Sequence, residues 1–157
     1  MMIQLGLRMK KIKLNVVMHE QESKKIATNR GAEVHLRLSK IVFHDNDFVG
    51  DSNIISHIKN NAELCEIMGP LSYPEVPIAG YVNGVFLSRR IDRLYVNKKA
   101  KKIIVLDYKT DIDRNLYYEK YRVQLTEYYE LLKQIYPDFS ITCKILWLND
   151  FTLENII

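Results

Sequence analysis

The segment Ile103-Ile-Val-Leu106 contains no polar residue and is closed at both ends by charge, Lys101 and Lys102 before it and Asp107 and Lys109 after it. A short apolar run of this kind, rich in β-branched residues, specifies a strand buried on both faces, because successive side chains on a strand point to opposite sides. Such a strand lies inside a sheet with cover above and below. The rest of the pattern supplies that cover. From about Glu22 to Phe43, Ile26, Val34, Leu38 and Ile41 share one face of a helix, with Gly31 marking a start or a bend. His44-Asp-Asn-Asp47 reads as a loop. Asp51 or Ser52 caps a second helix that runs to about Met68 and stops at Gly69-Pro70. Tyr73–Ala79, Gly84–Val96 and Lys102–Lys109 read as strands, joined by turns at Asn83-Gly84 and Asn97–Lys101. Asn115–Tyr136 lacks Gly and Pro and keeps helical spacing until Pro137 ends it. Ile141–Leu148 is a further strand, with a short one near Phe151–Ile156. The order ααβββαβ predicts a mixed α/β (α+β) domain, a central mixed sheet flanked by helices.

The chain has 157 residues, 47% apolar and 27% charged, which fits one domain over residues 1–157 and excludes a disordered tail. No apolar run approaches the ~18 residues of a spanning helix, so no membrane role is expected. Two cysteines, Cys65 and Cys143, are too few for a four-cysteine iron–sulfur cluster and form no disulfide framework, which points to a reducing cytoplasm. Residues 1–21 read as an N-terminal extension. It lacks the apolar stretch and small-residue cleavage site of a secretory signal. Residues 1–40 carry nine basic and three acidic side chains, residues 41–92 three and seven, and residues 93–157 eleven and nine. Positive charge concentrated in one part of a mildly basic chain suits a polyanion, although most basic stretches are simply solvated.

The chemistry centres on Ile91-Asp92-Arg93-Leu94 and on Asp107-Tyr108-Lys109-Thr110. Asp107 and Lys109 are two apart and share a strand face. If the two strands pair about the Asn97–Lys102 turn, Val96 faces Ile103 and Asp92 faces Asp107. Two carboxylates and an ammonium then converge on one face. Like charges directly opposite destabilise a sheet, and a hard divalent cation between them removes the conflict. An Asp-x-Lys on a half-exposed strand ordinarily faces water; here it ends a buried run.

These residues, in this order, resemble the PD-(D/E)XK nuclease superfamily, and in particular the RecB-like nuclease domain of AddA/RecB helicase–nucleases. The resemblance runs from about residue 30 to 148 and is carried by Gly31-Ala-Glu-Val-His35, Glu75-Val-Pro77, Ile91–Leu94, Asp107–Thr110 and Gln124-x-x-x-Tyr128. It implies a restriction-endonuclease-like core and a DNA exonuclease that hydrolyses phosphodiester bonds with Mg²⁺ or Mn²⁺ as cofactor. It implies that Asp92, Asp107, His35 and the backbone carbonyl of Tyr108 bind the metal, and that Lys109 orients water or stabilises charge on the phosphate. Gln124 and Tyr128, one turn apart, would support the site or contact DNA. DNA with free or single-stranded ends is the implied partner. The 157 residues carry no Gly-x-x-x-x-Gly-Lys-Ser/Thr loop and so no ATPase motor of their own; a free-standing nuclease, a partner of a separate helicase subunit and a fragment of a longer gene all stay open. The resemblance departs at Ser88-Arg89-Arg90, where the family usually places a small residue; Arg89, Arg90 and Arg93 are the candidate phosphate contacts. The alternative open at this point is a non-catalytic DNA-binding module, or a remnant, that kept the fold.

Overall fold

A computed structural model of the chain describes residues 30–157. The chain divides into two compact units, Met1–Val34 and His35–Ile157. In the first, residues 30–34 are helical. The expected N-terminal extension, and the part of the first helix expected before residue 30, with Ile26, lie outside the described residues.

The helix α1 covers residues 30–39 of the described chain. It is followed by β1 (Val42–His44), β2 (Asp47–Val49), α2 (Ser52–Lys59), α3 (Ala62–Met68), β3 (Ser72–Val82), β4 (Val85–Asn97), β5 (Lys102–Lys109), α4 (Arg114–Ile135), β6 (Ser140–Trp147) and β7 (Thr152–Asn155). The five strands β3-β4-β5-β6-β7 form one mixed sheet in that order. Only β5 and β6 run parallel; the other neighbours are antiparallel. A parallel pair needs a long return path, and α4 provides it. The fold is therefore mixed α/β, a five-stranded mixed sheet flanked by helices, as the order of elements in the sequence predicts at this level.

From Ile103 to Tyr108, β5 is buried at every position. On one face Ile103 and Val105 join Ile78, Ile91, Leu94 and Cys143 against Tyr121, Leu125, Tyr128 and Leu131 of α4. Ile104, Leu106 and Tyr108 alternate to the other face. There the Tyr95 hydroxyl donates to Glu66 of α3 at 2.9 Å, and the Tyr108 hydroxyl donates to the Met68 sulfur at 3.7 Å.

Two local expectations change. The single helix expected over residues 52–68 is two helices. Asn61 adopts extended backbone and its side chain accepts from Leu64 N–H, and an Asn cap of this kind competes with helix continuation. Residues 42–49, expected as a helix end and a loop, form a tight hairpin pairing Val42 with Val49 and Phe43 with Phe48. Its turn residues Asp45 and Asn46 have φ 49° and 65°. Asp and Asn tolerate that left-handed region, and two such residues make the turn that suits strand twist.

Arg93 ties α1 to the sheet from inside. It is 1% exposed. Its guanidinium donates to the carbonyls of Leu38 and Ile41, each at 2.9 Å. It also donates to the Tyr108 hydroxyl at 3.1 Å and the Ser72 hydroxyl at 3.1 Å. Buried acceptors left unpaired cost about 1–3 kcal/mol each. Arg93→Met keeps the apolar stem and removes the fork. It should lower stability by about 2–3 kcal/mol, read as a lower urea midpoint with an unchanged slope, and Arg93→Lys should recover only part of the loss because one ammonium cannot span these acceptors.

Candidate active site

The sheet opens at one place. The β4–β5 ladder keeps the expected register through Val96↔Ile103 as far as Arg93↔Leu106 and stops there, one pair short of Asp92 and Asp107. The β3–β4 ladder skips the same position: Pro74 pairs with Arg93, Val76 pairs with Ile91, and Glu75 and Asp92 are left out. Glu75 has φ 53°. Ile91 and Leu94 both pack against α4, although residues three apart on a regular strand face opposite ways. The pleat therefore reverses phase at Asp92. Pro74 and Pro77, which offer no N–H, flank the irregularity on β3.

The opening turns the peptide groups of Tyr108 into a binding edge. Lys101 and Lys109 direct their carbonyls to β6, accepting from Ser140 and Leu148, so Tyr108, one residue from Lys109, directs its backbone groups toward β4. No β4 backbone meets them. Asp92 Oδ2 accepts the Tyr108 N–H at 2.8 Å, and His35 Nε2 lies 3.0 Å from the Tyr108 carbonyl, where it donates. That assigns the proton to Nε2 and leaves Nδ1 facing Asp92 Oδ2 at 3.8 Å.

On the α4 side, Asp107 and Lys109 meet the helix. Lys109 Nζ lies 2.5 Å from Asp107 Oδ2 and donates to Gln124 Oε1 at 3.1 Å. Gln124 Nε2 donates to Asp107 Oδ1 at 3.2 Å and to the Tyr128 hydroxyl at 2.8 Å. The Tyr128 hydroxyl donates to the Arg90 carbonyl at 3.1 Å. The ammonium pairs with Oδ2 by charge, while Oδ2 receives no directional hydrogen bond. Tyr121 lies beneath the lysine, its ring centre 4.5 Å from Nζ. Tyr121 was not singled out from the sequence. Its signal is the helical spacing of 121, 124, 125 and 128 along one face of α4.

The predicted residues thus fall into two bonded sets, His35, the Tyr108 backbone and Asp92 in one and Asp107, Lys109, Gln124 and Tyr128 in the other, with Asp107 acting on Asp92 through its charge. Of the three arginines, Arg93 reaches the Tyr108 hydroxyl and Arg90 offers its backbone carbonyl to Tyr128. Arg93 is committed to the interior, so the expectation that it contacts phosphate gives way to a structural role. Arg89 donates to Glu127 at 2.8 Å, and Arg90 lies 2.8 Å from Glu75. Among the described residues no group of three or more His, Cys, Asp or Glu side chains stands close enough to hold a metal ion. His35 and the Tyr108 carbonyl bond to each other instead.

Burial pushes the Asp92 carboxyl up to about 6, and the Asp107 carboxylate adds to the rise. Burial raises Asp107 as well, against the downward pull of Lys109. The two acids titrate as a pair. Burial, then the nearby Asp107, pushes the Tyr128 phenol up to about 12, so it stays a donor at neutral pH. With both acids ionised, two carboxylates face one lysine, and the site carries excess negative charge in a poorly hydrated place.

No protein-family model matches the chain, and no curated protein matches it. Among the described residues no helix is long and apolar enough to cross a membrane.

The raised acids set a pH dependence. A carboxyl with a raised folded pKa favours the folded state when protonated, so its contribution is full below about 4 and is lost as pH rises through about 6. For Asp92 this amounts to up to about 3 kcal/mol. Asp92→Asn removes the titration and keeps an acceptor for Tyr108 N–H. Its melting midpoint should match wild type near pH 4 and exceed it by several degrees at pH 7 without added metal; a gap independent of pH would mean that Asp92 carries no buried charge.

Proposed function

We propose that this chain is a divalent-metal-dependent deoxyribonuclease with a restriction-endonuclease-like core, acting on DNA with free or single-stranded ends as RecB-like nuclease domains do. The observation that carries the proposal is the buried carboxylate of Asp107 paired with Lys109, with the half-buried carboxylate of Asp92 nearby and both acids raised in pKa. The resemblance of the five motifs and the mixed α/β fold support it.

The donor types suit a hard cation, while among the described residues the side chains are not gathered around one point. Asp107 Oδ2 is buried without a directional hydrogen bond, and oxygen ligands with one imidazole suit Mg²⁺ or Mn²⁺. Asp92 and Asp107 would hold the ion, with His35 and the Tyr108 carbonyl as further ligands. The bound ion would supply a more acidic water and positive charge at the phosphate. Lys109 donates to the attacking water or to a phosphate oxygen, with the aromatic face of Tyr121 limiting where its ammonium can move. Gln124 holds Lys109 through Oε1 and Asp107 through Nε2. Tyr128 anchors Gln124 to the β4 backbone. Both cysteines are free thiols, which suits the cytoplasm as the compartment. A separate helicase subunit would open duplex ends for it.

The test uses linear single- and double-stranded DNA and closed circles, with and without Mg²⁺ or Mn²⁺. Linear DNA should be cut only with the ion, and cleavage in excess EDTA would contradict the proposal. Lys109→Ala should retain Mn²⁺ binding while single-turnover cleavage falls by about 10²–10³, the usual loss of one preorganised donor to developing charge. Mn²⁺ binding with no cleavage of any DNA by wild type would favour the non-catalytic DNA-binding module.

A further inference from the structure

The segment between the catalytic strand and α4 carries apolar side chains that the core does not use. Ile112 is 91% exposed, Leu116 69% and Tyr117 38%. Ile112 precedes the helix cap Asp113 and Tyr117 lies in the first helical turns, the positions where two apolar residues commonly pack together as a hydrophobic staple. The exposure of Ile112 rules that use out. The exposure does not come from a loose loop. The Tyr121 hydroxyl donates to Asp111, and Asn149 Nδ2 donates to the carbonyls of Thr110 and Asp111 at 3.1 and 3.2 Å. The segment is held on both sides, with its apolar residues in solvent.

This ledge is continuous with the site. Lys109 Nζ sits 4.5 Å from the Tyr121 ring centre, and the Tyr121 and Tyr117 rings are 6.1 Å apart. The two steps together span no more than about three stacked nucleotides at about 3.4 Å each. The acidic side chains along this segment already have partners within the chain. Asp113 is used in capping Leu116 N–H, Glu119 pairs with Arg122 at 3.0 Å, and Asp111 is taken by Tyr121. Lys120, one turn beyond Leu116, is exposed.

We infer that Tyr117 is a base-stacking subsite for an unpaired nucleobase of a DNA strand whose phosphate lies at Lys109. This rests on the proposed nuclease activity and gives its preference for unpaired ends a place in the fold: a base must leave the duplex stack to reach Tyr117. Apolar wedges that unstack bases, and aromatic rings that receive them, work on any sequence because every base has a π-face.

The experiment measures anisotropy of labelled oligothymidylate, and of the same oligomer with abasic residues, on the full chain in EDTA. Wild type should bind the thymidylate about 5- to 150-fold more tightly than the abasic strand, the range of one base–aromatic stack. Tyr117→Phe should keep that preference, and Tyr117→Ala and Tyr117→Leu should each erase it; Leu keeps apolar cover and cannot stack, so a loss confined to Ala would overturn the stacking assignment. Equal wild-type binding to both strands, or none to either, would also overturn it. Metal-dependent cleavage of the same two oligomers by wild type tests the underlying nuclease activity separately: cleavage without a base preference in binding removes only the subsite, and absence of both removes the nuclease proposal as well.

Discussion

The site depends on one exchange. The Tyr108 N–H, turned toward β4, is taken by the Asp92 carboxylate at 2.8 Å. His35 meets the carbonyl of the same residue at 3.0 Å. Two side chains stand where a regular ladder would have two backbone bonds. Nearly all buried backbone groups find partners, so the sheet can open here only because Asp92 and His35 satisfy what it leaves exposed. The opening admits two carboxylates to the interior of the sheet, where burial raises both.

The surroundings hold that arrangement in place. Arg93, one residue beyond the opening, fastens the end of α1 and the Tyr108 hydroxyl to β4 from the opposite face. It thereby constrains both partners of the His35–Tyr108 contact. On the near face Gln124 acts as a two-ended clamp, accepting from Lys109 and donating to Asp107. Its amide geometry fixes the spacing between the ammonium and the carboxylate. A site built on strands and a long helix, with loops confined to its edge, is suited to holding charge in a preorganised geometry.

Much of this was legible from residue order. The apolar Ile103–Leu106 run predicts the central buried strand, and counting across the Asn97–Lys102 turn predicts the register observed as far as Arg93↔Leu106. The final step of that count was not legible. Pairing Asp92 directly with Asp107 assumes that the pleat keeps its phase. The change of phase lies opposite Glu75, which is in the left-handed region on the neighbouring strand, and only the prolines at 74 and 77 hint at it. Arg93 was placed among surface arginines because arginine is rarely fully buried, and the carbonyls that receive it belong to a distant helix end. The hairpin at residues 42–49 was masked by apolar residues that also fit helical spacing. The Asp45-Asn46 turn was its signal. Tyr121 lay in plain helical register with Gln124 and Tyr128, yet its place beneath Lys109 follows from how α4 crosses the sheet.

Under the proposed function, a divalent cation displaces protons from the Asp92 and Asp107 pair. Calorimetric titration of the protein with Mn²⁺, repeated in buffers of different ionisation heat, counts the protons released on binding. Release should be substantial near pH 5.5, where Asp92 with its pKa of about 6 is largely protonated, and should fade toward pH 8 as affinity rises. In Asp107→Asn the affinity should drop and the release should shrink. Mn²⁺ binding that releases no proton at pH 5.5 and is unchanged in Asp107→Asn, or no Mn²⁺ binding at all, would contradict the account.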